Sequence, residues 1–248
     1  MINPQERVPD LSALHQHRVM SPGESLPRRV IAIDGPAASG KSTVALQLAR
    51  RLGFIYVNSG AMYRAVTWHV LDRGVDPTDS AAVARLMDET QLVCDLENGE
   101  SRILINGENP AEHLRDRQVN EAVSPVSSVP RVREVLVAKM RPYALEHDVV
   151  MEGRDIGSVV FPGTPYKFYI DACPDVRSRR RAAQGLTDQI AARDRVDSSR
   201  RDSPLTIAPD AHVIDSSHFS IAEVVDQIVQ CLAAKGLPVE EKLASESR

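Results

Sequence analysis

Gly35-Pro36-Ala37-Ala38-Ser39-Gly40-Lys41-Ser42 fits the pattern G-x-x-x-x-G-K-[ST] and joins the apolar run at 30–33 to the helix-forming stretch at 43–52. A chain that passes from strand to helix through two such glycines, then sets a lysine and a hydroxyl at the helix start, has few folds open to it. The glycines let the backbone curl where side chains would clash, so that successive N–H groups and the positive end of the helix face one point. Such a point suits the oxygens of a polyphosphate. On this reading residues Gly35 to Thr43 form the phosphate-binding segment, Lys41 reaches the β- and γ-phosphates of a bound nucleotide, and the Ser42 hydroxyl holds Mg2+.

The rest of the chain supplies a matching sheet. Apolar runs recur at 30–33, 54–57, 149–151, 167–170 and 212–214, with helical stretches between them. That alternation predicts an α/β fold with a five-stranded parallel core sheet, and because the runs are continuous rather than alternating in polarity, helices cover both faces. Ligands of such sheets sit at the carboxyl ends of the strands, where this chain places Asp34, Asn58-Ser59-Gly60 and Glu152-Gly153-Arg154-Asp155. Ser59 stands where a helix-capping residue belongs, with Tyr63 and Arg64 one turn on and Arg64 set to hold a phosphate.

Two stretches break the rhythm. Runs at 91–96 and 102–105 flank Asn98-Gly99, a hairpin-turn signal, and Asn106-Gly107 repeats it; this predicts a small antiparallel sheet inserted at about 85–124. Residues 177–201 hold eight arginines against Asp188, Asp194 and Asp197. Arg179, Arg180 and Arg181 read equally as phosphate-binding cations or as a solvated helix face. Arg193, Arg195 and Arg200, interleaved with aspartates and serines, read as a lid over 185–203 rather than a regular helix, able to exclude water during transfer.

The net charge of −4 over 248 residues argues against a nucleic-acid-coating surface, and no apolar stretch is long enough to span a membrane. Cys94, Cys173 and Cys231 are too scattered for a metal or redox motif and fit a reducing cytoplasm. Residues 1–28, with four prolines, and residues 239–248 read as extensions of a single domain at 29–238.

Taken in order, the phosphate loop, Asn58 to Arg64, Pro130-Arg131-Val132-Arg133, Glu152-Gly153-Arg154-Asp155-Ile156-Gly157 and Arg193-Asp194-Arg195-Val196-Asp197-Ser198-Ser199-Arg200 resemble the bacterial cytidylate kinases. The resemblance implies a P-loop nucleoside monophosphate kinase fold in which the antiparallel insertion helps bind the monophosphate. It implies that Ser59, Arg64, Arg154 and Arg200 surround that phosphate, with Tyr63 packed beside the nucleotide. Ser124, Arg133 and Asp155 match positions that read the cytosine edge, and Arg193 and Asp197 match lid positions near the pentose and phosphates. Asn58 and Glu152 stand where many relatives carry aspartate.

The implied activity is direct, in-line transfer from ATP to CMP or dCMP, with Lys41, Arg154, Arg193 and Arg200 as the catalytic cations and a monomer as the working unit. Adenylate, shikimate and dephospho-coenzyme A kinases share the loop and lid, but the insertion and the Glu-Gly-Arg-Asp segment argue against them. A guanine-nucleotide switch would need an Asn-Lys-x-Asp motif, which is absent.

Overall fold

The computed structural model describes residues 28–183, 190–199 and 205–237. The expected terminal extensions, much of the expected lid and Arg200 lie outside them.

Seven strands form one sheet in the order β3-β4-β2-β5-β1-β6-β7. Its parallel part is the expected five-stranded core. β1 (Val30–Asp34) lies between β5 (Val149–Gly153) and β6 (Tyr166–Asp171), while β2 (Ile55–Asn58) flanks β5 and β7 (His212–Asp215) flanks β6. β1 and β5, at the centre, are buried almost end to end because both faces are covered, whereas β7, at the edge, buries only Ile214. On one face Ala32, Val57, Val149 and Met151 pack under α2 (Ser59–Asp72), α3 (Ser80–Glu89) and α5 (Pro130–Met140), using Met62, Val66, Val83, Val132 and Leu136. On the other, Ile31, Ile33, Val150 and Phe168 pack under α1 (Lys41–Leu52) and α9 (Ile221–Ala234), using Val44, Leu48, Val224 and Ile228.

The hairpin of β3 (Leu92–Glu97) and β4 (Glu100–Ile105) turns at Asn98-Gly99, where both residues have positive φ, as a two-residue turn matched to strand twist requires. It does not form a separate sheet: a parallel bridge from Tyr56 to Glu100 adds it to the β2 edge.

α4 (Arg117–Ser128) leads into α5, while α6 (Tyr143–Glu146) and a single π turn (Ile156–Val160) bracket β5. α7 (Pro174–Ala183) and α8 (Ile190–Ser199) bear the arginine-rich stretch. The described part of the expected lid is therefore a helix, contrary to the irregular segment its polar sequence suggested. Two of its aspartates, Asp194 and Asp197, pair with Arg177 and Arg154 from elsewhere in the fold, which no local pattern reveals.

Candidate active site

The phosphate loop is held from outside by cations. Arg154 Nη1 donates to Gly35 O (3.0 Å), Arg177 Nη1 to Ala37 O (3.3 Å), and Arg180 Nη1 to Ser39 O (3.2 Å). Ser216, in the loop after β7, donates from Oγ to Ser39 O as well (2.8 Å). Gly35 has no tolerance for a side chain, since a Cβ there would lie 2.1 Å from the carbonyl oxygen of Ile170. Lys41 is buried, and its Nζ donates to Pro36 O at 3.1 Å, which keeps the ammonium within the loop.

Asp34, at the end of β1, accepts the backbone N–H groups of Ile156 and Gly157 on its two oxygens, each at 2.8 Å. It thereby anchors the turn after Asp155 to the strand that leads into the phosphate loop. Burial pushes its carboxyl up to about 7, against the pull of those two N–H donors; the Asp155 carboxylate adds to the rise and Lys41 opposes it. Between about pH 4 and pH 7 the folded chain thus keeps a proton that the unfolded chain has released, so stability falls as pH rises through that window. Asp34→Asn does not titrate. Melting temperatures of the ligand-free wild type and variant, compared from pH 4 to 8, are expected to show the wild-type advantage shrinking up to about pH 7 and constant above it. An advantage that grows with pH would reverse the assignment.

Glu152 closes the other side of the loop. Ser42 Oγ donates to its Oε1 at 2.8 Å, and the Tyr56 hydroxyl approaches the same oxygen at 3.5 Å. Burial, then the Glu152 carboxylate, pushes the Tyr56 phenol well above its usual range. A serine hydroxyl beside a buried carboxylate is a hard-oxygen donor set of the kind Mg2+ accepts when phosphates and water complete its shell.

On the acceptor side the cap of α2 is Asn58, not Ser59: Ala61 N donates to Asn58 Oδ1 at 2.9 Å. The Ser59 hydroxyl instead donates to Glu152 O (2.7 Å), tying α2 to β5. Tyr63 is buried, and the Arg133 guanidinium lies 5.4 Å from its ring centre. Arg133 pairs with Asp155, their side chains each 6 % exposed, and reaches Ser127 O from Nη1 at 3.3 Å. Its Nε is a buried donor with no acceptor among the described residues.

These groups line one cleft of about 860 Å³ at the carboxyl ends of β1, β2 and β5. Of the expected residues it brings together Ala37, Ala38, Gly40, Lys41, Ser42 and Thr43 with Ser59, Tyr63, Arg64, Ser124, Arg133, Arg154, Asp155 and Asp197. Gly35, Pro36 and Ser39 shape the loop from behind. Arg154 also bridges to the far wall, donating from Nε to Asp197 Oδ2 of α8 at 3.0 Å. Arg193 lies on α8.

Of the three arginines left open by sequence, Arg179 is exposed, Arg180 binds Ser216, and Arg181 lines the cleft. Asn120 and Arg115, which also line it, escaped the sequence reading. Neither sits in a recognisable motif; only their place in the fold brings them to the cleft.

The family model for cytidylate kinase matches residues 31–234. The chain belongs to this family. It is 43% identical over 221 residues to the cytidylate kinase of Solibacter usitatus, covering 84% of this chain and 94% of that one. It is 44% identical over 217 residues to that of Pelotomaculum thermopropionicum, covering 82% and 96%. Against the cytidylate kinase of Mycolicibacterium paratuberculosis it is 44% identical over 211 residues, covering 80% and 92%. The matched span takes in the phosphate loop, the hairpin and the arginine-bearing helices, so the cleft just described belongs wholly to the shared part.

Proposed function

We propose that this chain transfers the γ-phosphoryl group of ATP to CMP and dCMP. The observation that carries the choice of base is the buried Arg133–Asp155 pair, its Arg133 Nε without an acceptor among the described residues, in the cleft that also holds Ser124 and the phosphate loop. Cytosine presents an amino donor beside ring-nitrogen and carbonyl acceptors, so a carboxylate that accepts and a guanidinium that donates match its edge; uracil inverts part of that pattern. Ser59, Arg64 and Arg154 hold the acceptor phosphate, Arg200 joins them from the lid, and Tyr63 packs against the nucleotide.

The loop amides and Lys41 bind the donor phosphates. Lys41, Arg154 and the lid arginines Arg193 and Arg200 balance the charge that spreads over the transferred group, while an acceptor phosphate oxygen attacks in line. Ser42 and Glu152 would hold Mg2+, which when bound supplies further charge neutralisation at the phosphates. We assign monophosphate binding to the insertion at about 85–124 and lid closure to 185–203. Cys94, Cys173 and Cys231 are free thiols, which supports a reducing, cytoplasmic setting, and no helix among the described residues is long and apolar enough to cross a membrane.

The deciding experiment is a steady-state screen of nucleoside monophosphates with ATP and Mg2+. CMP and dCMP are expected to exceed UMP and AMP in kcat/KM by at least tenfold, since each polar group left unpaired in the site costs about 1 to 3 kcal/mol. A preference for AMP, or slow hydrolysis with no preferred acceptor, refutes the assignment.

A further inference from the structure

Asn120 lies in the first turns of α4 with only 4 % of its surface exposed, an unusual place for an amide whose every polar atom must then be matched. Its Nδ2 donates to Arg115 O at 2.9 Å and to Asp116 O at 3.0 Å. With both amide protons committed to carbonyls, Oδ1 has to face the other way, and there it accepts from Arg181 Nη2 of α7 at 3.3 Å. One side chain thus joins two walls of the cleft: the segment bearing Arg115, on the insertion side, and an arginine from the helix that braces the phosphate loop. Arg181 is 8 % exposed and lines the cleft. A long cationic side chain gives up much rotamer freedom to be held so, and an acceptor fixed by two hydrogen bonds of its own contributes to its direction.

We propose that Asn120 is a positioning residue for phosphoryl transfer: it aims the Arg181 guanidinium into the cleft and couples that aim to the placement of the Arg115–Asp116 segment. The proposal rests on the kinase reading above and extends it to two residues outside the sequence motifs. Asn120 acts through Arg181, so its loss is felt in the rate rather than in acceptor binding.

The test is a double-mutant cycle of Asn120→Ala and Arg181→Ala, read as kcat and KM for both substrates and, separately, as ATP hydrolysis without an acceptor. Asn120→Ala is expected to lower kcat about tenfold with less than a threefold change in KM for CMP, and to cost nothing further once Arg181 is alanine. Asn120→Ser keeps a short hydroxyl that can bond Asp116 O but cannot reach Arg181. It is expected to melt within a few degrees of wild type yet lose kcat as the alanine variant does, which keeps the proposal open to refutation if Asn120→Ala fails to fold. Additive losses in the cycle, or wild-type kcat in Asn120→Ser, overturn it. Failure of the kinase reading shows differently, as a wild-type enzyme that does not use CMP, and the hydrolysis cycle still decides whether Asn120 acts through Arg181.

Discussion

Lys41→Met is expected to lower turnover by about 10³-fold or more while leaving CMP affinity within a few fold. Lys41 is buried in the loop with its ammonium on Pro36 O, so its charge is already placed at the site we assign to the donor phosphates. A charge held in a water-poor site is worth far more to developing negative charge than one that must be drawn from solvent. Methionine keeps most of the volume while removing the charge and the bond to Pro36 O, so melting temperature is expected to change by no more than a few degrees. A coupled assay gives turnover, equilibrium titration gives CMP affinity, and circular dichroism checks the fold. Turnover near wild type would remove the loop from the mechanism.

Arg133→Met is expected to reduce kcat/KM for CMP far more than for UMP, and to destabilise the ligand-free chain by about 3 to 5 kcal/mol. The second effect arises because Asp155 is left as a buried carboxylate without its guanidinium. The two effects separate in the double variant Arg133→Met/Asp155→Asn, which has no orphaned charge: stability is expected to return in large part, CMP preference not at all. Arg64→Ala supplies the contrast, since a residue that holds the phosphate weakens CMP and UMP by similar factors. Equal losses for both bases in Arg133→Met would show that the pair is structural and that specificity lies elsewhere.

How much of the cleft was readable in advance follows from the range of the interactions that build it. The phosphate loop is a local object: glycines, a lysine and a hydroxyl within eight residues of chain, between an apolar run and a helix. The Asn98-Gly99 turn is equally local, and its two positive φ values are what that dipeptide is suited to adopt. Contacts between distant segments were another matter. Ser59 was a reasonable helix cap, yet Asn58 takes the role, because the Ser59 hydroxyl finds Glu152 O across the β2–β5 pairing. The stretch at 185–203 reads as irregular because its arginines interleave with aspartates and serines. In the fold, Asp194 pairs with Arg177 and Asp197 with Arg154, which lets α8 remain a helix against the cleft.

By itself, the sequence determined the class of fold and the glycine-rich loop at the end of β1 that we assign to the donor phosphates, because periodicity, turn chemistry and loop spacing act over a few residues. Tertiary structure alone decided which cations face the cleft. Arg179, Arg180 and Arg181 are adjacent and chemically identical, yet only the packing of α7 against the phosphate loop and α4 leaves the first in solvent, sets the second on Ser216 and turns the third toward Asn120. It also decided that Asp34 holds the turn after Asp155, across 122 residues of chain to Ile156. The physical reason is the same in each case: burial and hydrogen-bond partners depend on which segments meet, and that is set by the sheet order.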